Sequence, residues 1–194
     1  RILRSVGLEP SKKTIMIASG GFHSKYGWVR EYDREILESM LDLGSVRKDA
    51  QVLVRLHPME DGHMQWEIIG KRRAVAAVVK GERNDLLWAS DIFVTVNSTT
   101  AIDALVLGKV VLMLDLEVED IPTVDLGGAI VRYRVENLRE HVEAMLDDPS
   151  AAQRVHAVTK AQLERHANTV DGKASVRVAR LLHEMSLEAR KVAY

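Results

Sequence analysis

Short runs of Val, Ile, Leu and Met recur along the chain, with stretches of helical rhythm between them. Residues 14–19 (TIMIAS), 51–56 (QVLVRL), 74–79 (AVAAVV), 91–96 (DIFVTV) and 110–114 (VVLML) each read as a strand, and 129–133 (AIVRY) as a weaker one. Between the first two, residues 32–43 carry Ile36, Leu37, Met40 and Leu41 at the spacing of one helix face. Residues 84–90 predict a short helix capped by Asn84 or Asp85, and 99–107 predict another that stops at Gly108. Strands that stay apolar, instead of alternating apolar with polar, are buried on both faces, as parallel strands between helix layers are. The pattern therefore predicts an α/β fold, a doubly wound parallel sheet.

From Asn137 the strand pattern ends, and helical segments follow at 137–147, 151–167 and 172–191. Pro149, with Ser150 as a cap, separates the first pair, and NTVDG (168–172) the second. In the last segment Asp171 is the expected cap, and Val176, Ala179, Leu182 and Met185 are expected to pack on the sheet. Residues 1–194 thus read as a single α/β domain with a helical C-terminal tail.

Composition narrows the function. With 46% hydrophobic and 28% charged residues, the chain can bury a sizeable core. Its 27 Lys plus Arg against 28 Asp plus Glu give a net charge of −1, without the basic surplus a general nucleic-acid binder needs. It has no cysteine, which excludes disulfides and thiolate metal sites. No apolar stretch is long enough to span a bilayer or serve as a signal peptide, so the expectation is a cytoplasmic protein. The chain opens on Arg1 rather than Met, as expected of a piece cut from a longer polypeptide.

In a doubly wound sheet, ligands sit at the carboxyl ends of the strands, where loops lead into helix N-termini. The loops at that edge are SGGFHSKYG (19–27), HPMEDGH (57–63), NSTT (97–100) and DLEVEDIP (115–122). Asn97, Ser98, Thr99 and Thr100 interrupt an apolar stretch at a helix start, where backbone N–H groups and a partial positive charge favour phosphate. The competing reading is a helix cap, the commonest use of Ser and Thr there, which needs only one hydroxyl. Gly20 and Gly21 let a ligand approach the main chain, although such a pair is usually just a turn. Arg55 and His57 close the second strand ahead of Pro58. A lone His at a strand end is more often structural, yet His donates readily to phosphate and titrates near neutral pH.

The segments VLVRLHP, DLLWASDIFVTVNSTTAIDALVLGKVVLML and DGKAS, in that order, resemble the carboxyl-terminal nucleotide-binding half of glycosyltransferase B fold enzymes. The resemblance is nearest to the CDP-glycerol glycerophosphotransferases and the capsule or surface-polysaccharide transferases. The UDP-N-acetylglucosamine 2-epimerases are further off. It implies a Rossmann-like domain that is the C-terminal half of a two-domain transferase and binds a CDP- or UDP-linked donor as substrate, with no cofactor and no metal. The product implied is surface polysaccharide or a teichoic-acid-like polymer.

By this resemblance His57, the catalytic candidate, contacts the donor phosphates. Ser98, Thr99 and Thr100, beside Asn97, hold them through hydroxyls and helix amides, and Ser19, Gly20 and Gly21 approach them from below. Asp103, where Glu is more usual, binds the ribose, and Arg55 helps stabilise the leaving nucleotide. Val110 stands where the family usually has Pro. The implied partner is an amino-terminal domain carrying the acceptor site, so the chain alone is expected to bind rather than catalyse. The implied location is cytoplasmic, at the inner face of the membrane, with peripheral association through that other half.

Two other classes use the same residues: a nucleotide-sugar epimerase or hydrolase, which needs extra carboxylates, and a non-catalytic nucleotide-binding module. Asp115, Glu117, Glu119 and Asp120 lack a His or Gly turn at ligand spacing and read as a solvated loop rather than a metal site. His57 and His63 have no third zinc ligand, and His141, His156, His166 and His183 fall in the helical tail. Trp66 and Trp88 read as core or interface.

Overall fold

Six runs of largely apolar residues form one parallel sheet in the computed structural model, which describes residues 2–19, 30–58, 60–70, 72, 76–80, 83–96, 98–114, 131–133, 137–148, 150, 153, 154, 157, 169 and 171–192. The strands are β1 (Lys13–Ala18), β2 (Ala50–Arg55), β3 (Ala76–Val79), β4 (Ile92–Thr95), β5 (Val110–Leu114) and β6 (Val131–Tyr133). Their order is β3-β2-β1-β4-β5-β6, and every neighbouring pair is parallel. The chain builds outward from β1 to β3, returns to lay β4 on the other side of β1, and builds outward again. This is the doubly wound order, with its reversal at β1.

Parallel strands need crossovers, and helices supply them. They are α1 (Ile2–Ser5), α2 (Arg30–Val46), α3 (His63–Ile69), α4 (Arg83–Ala89), α5 (Thr100–Val106), α6 (Leu138–Asp147) and α7 (Ala174–Val192). Because successive side chains leave a strand on opposite faces, each strand feeds two cores. Ile15, Ile17, Val52, Val54, Val94 and Leu112 face the helices α2, α3 and α6. Met16, Leu53, Phe93, Val111 and Met113 face α1, α4 and α5. A strand with a helix layer on each side has no solvent face, which is why the apolar runs do not alternate.

The amino-terminal edge of the sheet is stitched by polar side chains. Asp91 accepts from the Thr14 backbone N–H at 2.8 Å and from Lys13 Nζ at 3.0 Å. The Gln51 amide donates to the Glu9 carbonyl at 2.7 Å and to Thr14 Oγ1 at 2.9 Å. Helix α5 ends as expected at Gly108, whose φ of 70° is left-handed. There Lys109 N–H reaches the Ala104 carbonyl and Gly108 N–H the Leu105 carbonyl, both at 2.9 Å.

Three sequence expectations are corrected. Helix α4 begins at Arg83, so Asn84 and Asp85 lie inside its first turn and do not cap it. Of the two readings of Trp66 and Trp88, core or interface, the first is removed, since they are 46% and 70% exposed. The Trp88 ring has Lys109 Nζ 5.7 Å from its centroid. In α7 the Asp171 carboxylate accepts from Lys173 N–H at 2.9 Å ahead of the helix, as a cap does. However, Val176, Ala179, Leu182 and Met185 are all exposed and do not pack on the sheet. The physical reason is that the helices α1 to α6 already cover both faces.

The packing makes a stability prediction. Phe93 is fully buried at the centre of one core, so Phe93→Ala should cost about 3–5 kcal/mol in urea unfolding. A cost below about 1 kcal/mol would contradict the packing described.

Candidate functional site

The register of the parallel sheet decides which loops meet. Ala18 is level with Arg55 and Ile17 with Val94, so the loops after β1, β2 and β4 leave one edge side by side. Beyond them the chain parts: β1 leads to α2 on one face and β4 to α5 on the other. In doubly wound sheets such divergence is where a ligand crevice forms. Adjacent strands are about 4.8 Å apart, so the loops after β2 and β4 face each other across roughly 10 Å. That is close enough for side chains on both to reach one small anion.

On the β2 side, half-buried His57 is fixed through its backbone. Its N–H donates to Glu60 Oε2 and to Ser19 Oγ, each at 2.9 Å. The Ser19 hydroxyl also contacts Glu60 Oε2 and lies 3.1 Å from the Arg55 carbonyl. Ser19 N–H donates to that same carbonyl at 3.0 Å. The loop then turns through Gly62 at φ +81°, where a Cβ would run into Leu56 Cδ1, so only glycine fits without a shift. Ser19 and Gln65 also line a small cavity of about 20 Å³ beneath the edge, room for about one water.

On the β4 side the hydroxyls do different jobs. Ser98 Oγ accepts from Thr100 N–H at 3.2 Å and acts as the cap, while Thr99 makes no side-chain cap bond. The N–H groups of Ala101 and Ile102 donate to the Ser98 and Thr99 carbonyls at 2.9 and 3.0 Å. The N–H groups of Thr100, Ala101 and Ile102 are thus engaged within the turn. Thr100 is only 4% exposed, so its side chain faces the core rather than the crevice. What the turn presents is the hydroxyls of half-buried Ser98 and exposed Thr99.

Asp103, one turn further on, lines a groove of about 360 Å³ between α4 and α5 with Asn84, Asp85 and Trp88. Both helices start at the carboxyl edge of the sheet. Half-buried Arg55 ends β2 beside Ser19. Gly20, Gly21, Asn97 and the acids at 115–120 lie outside the described residues. Among the described residues, no group of three or more His, Asp or Glu side chains is placed to hold a metal. Nor, among them, is any helix long and apolar enough to cross a membrane.

The residue that sequence reasoning missed is Glu60, 8% exposed at this polar edge. Its N–H donates to the His57 carbonyl at 2.9 Å while its carboxylate turns back to the His57 N–H. The first bond closes a turn and the second is the carboxylate half of a capping box, so a carboxylate three residues after His57 was the available signal.

The model of the family described as CDP-glycerol:poly(glycerophosphate) glycerophosphotransferase matches residues 1–184. Comparison with curated proteins finds no significant match. Among solved structures, the wall teichoic acid polymerase TagF matches with a TM-score of 0.60 at 18% identity, covering 97% of this chain and 47% of that one. A TagF variant soaked with CDPG gives 0.62 at 19% identity, covering 94% and 44%. The S. aureus MnaA–UDP co-structure gives 0.58 at 14%, covering 81% and 41%. These likenesses show a shared fold, and the chain spans less than half the length of each of these structures.

The cap geometry separates two neighbouring hydroxyls. Ser98→Ala should lower stability by about 1 kcal/mol, and Thr99→Ala by less than about 0.5 kcal/mol. Equal losses in urea unfolding would contradict the assignment of the cap.

Proposed function

Because the chain belongs to the CDP-glycerol:poly(glycerophosphate) glycerophosphotransferase family, we propose that it is the donor-binding domain of a glycerophosphotransferase that uses a CDP-linked donor to build a glycerophosphate polymer. The observation that carries the reading is the register that sets the His57 loop and the Ser98–Thr99 turn on either side of β1. A diphosphate in that crevice meets donors from both sides.

In such a transfer an acceptor hydroxyl attacks the phosphorus that bears the glycerol. The P–O bond to the nucleotide breaks, and the nucleoside monophosphate leaves with the electron pair. The charge that develops on the leaving phosphate is what fixed hydrogen-bond donors stabilise best. His57, with Arg55 behind it and the hydroxyls of Ser98 and Thr99 opposite, supplies that stabilisation. Ser19, Gly20, Gly21 and Asn97 border the same phosphates, and Thr100 supports the turn from the core side. The nucleoside extends into the groove between α4 and α5, where Asp103 accepts from the ribose hydroxyls.

The acceptor site and any membrane association belong, in this reading, to a second domain. The chain alone then binds donor without turning it over. The epimerase reading has less support, since the family match is to transferases and the buried carboxylate at the crevice, Glu60, is engaged in holding the loop.

Calorimetric titration with CDP and with inorganic pyrophosphate tests the reading. CDP should bind, and His57→Ala and the Ser98→Ala/Thr99→Ala pair should each weaken it by about 1–3 kcal/mol. Asp103→Ala should weaken CDP and spare pyrophosphate, which has no ribose. CDP binding indifferent to all three changes would show that these residues serve only the turn and the loop.

A further inference from the structure

The carboxylate of Glu60 is at odds with its surroundings. It is buried at the edge where the proposed ligand brings negative charge, and burying a carboxylate is costly unless hydrogen bonds satisfy it. Bonds to three segments do so. Oε2 takes the His57 N–H at 2.9 Å and the Ser19 hydroxyl, and Oε1 lies 3.5 Å from the amide nitrogen of Gln65, itself buried on α3. On the main chain, the Glu60 carbonyl accepts from Lys80 Nζ at 3.0 Å. One side chain therefore joins the ends of β1 and β2 to α3, and its carbonyl reaches the residue after β3.

The bonds fall on the backbone of His57 and on Ser19, the two groups that flank the crevice on this side. A neutral apolar residue would fill the same space without the desolvation cost, but it would leave the His57 N–H with Ser19 Oγ as its remaining acceptor here. We propose that Glu60 is a positioning residue: its carboxylate fixes the main chain at His57 and the hydroxyl of Ser19, and so sets the imidazole against the donor phosphate. Glu60 does not touch the ligand. With its lone pairs turned inward to N–H and O–H donors, its charge is spent on the loop rather than presented to the phosphate. This inference rests on the nucleotide-binding reading for its ligand half, whereas its structural half stands without it.

The test uses the 194-residue chain and two readouts. In Glu60→Gln, amide hydrogen exchange at His57 should speed up at least roughly tenfold, the scale of losing a bond to a charged acceptor. Exchange at the sheet residues Ile17 and Val54 should stay unchanged. The same variant should bind CDP roughly tenfold more weakly, and His57→Ala should add little further loss on the Glu60→Gln background, because both changes remove the same contact. Unchanged exchange at His57 overturns the proposal whatever CDP does. Accelerated exchange with wild-type CDP affinity, or full additivity with His57→Ala, also overturns it and leaves the nucleotide reading standing. A wild-type chain that binds neither CDP nor pyrophosphate overturns the nucleotide reading and with it the ligand half of the proposal, while His57 exchange still decides the structural half.

If Glu60→Gln does not fold, Glu60→Asp keeps the charge but shortens its reach, and should speed His57 exchange and weaken CDP severalfold. Unchanged His57 exchange or wild-type CDP affinity in that variant would overturn the proposal.

Discussion

The position of β1 between β2 and β4, all parallel, is the constraint from which the rest follows. A parallel pair cannot be joined by a tight turn, so every connection crosses over through a helix and every strand ends at the same edge. Because the winding reverses at β1, the connection after β1 goes to one face and that after β4 to the other. The crevice is thus a consequence of topology, made before any side chain is chosen for chemistry. Burial on both faces then demands the apolar runs, and the two cores hold the register that places Ser19, His57 and Ser98 at one edge.

The two edges of the sheet use polar residues differently. At the amino-terminal edge, Asp91, Gln51 and Thr14 bond one another and nearby main chain, and their work is to close strand ends. At the carboxyl edge, Glu60 and Ser19 bond the main chain at His57. In the turn after β4, the N–H groups of Thr100, Ala101 and Ile102 are bonded to Ser98 and Thr99 of the same turn. Helix α5 has only seven residues and its first amides are engaged, so the hydroxyls of Ser98 and Thr99 matter more than a helix dipole.

The fold was legible in the sequence because burial on both faces removes alternation, a signal that survives in each strand from β1 to β5. Helices α1 and α3 were not legible: α1 has only four residues, and α3 starts at Gly62 with no side-chain cap to mark it. Burial of Thr100 was hidden for a related reason: a polar residue at a helix start looks the same in sequence whether it faces solvent or core. Glu60 was missed because an acid in a polar loop reads as solvated until the loop is seen folded over it. The tail failed in the opposite way. Helix α7 has an apolar stripe, but the pattern cannot say what that stripe meets, and both faces of this sheet are already covered. The order of the HP pair, the NSTT turn and the later DGKAS segment pointed to the family that the comparison over residues 1–184 shows.

The central claim is that the crevice at β1 receives a nucleotide diphosphate. It is tested most directly by following backbone amide signals of isotope-labelled protein during titration with CDP. The account expects the shifts to concentrate at Ser19, His57, Ser98, Thr99 and Asp103, on both sides of the crevice, and to leave the amino-terminal edge at Lys13, Gln51 and Asp91 unmoved. Shifts confined to the amino-terminal edge, or to one wall of the crevice alone, would contradict it.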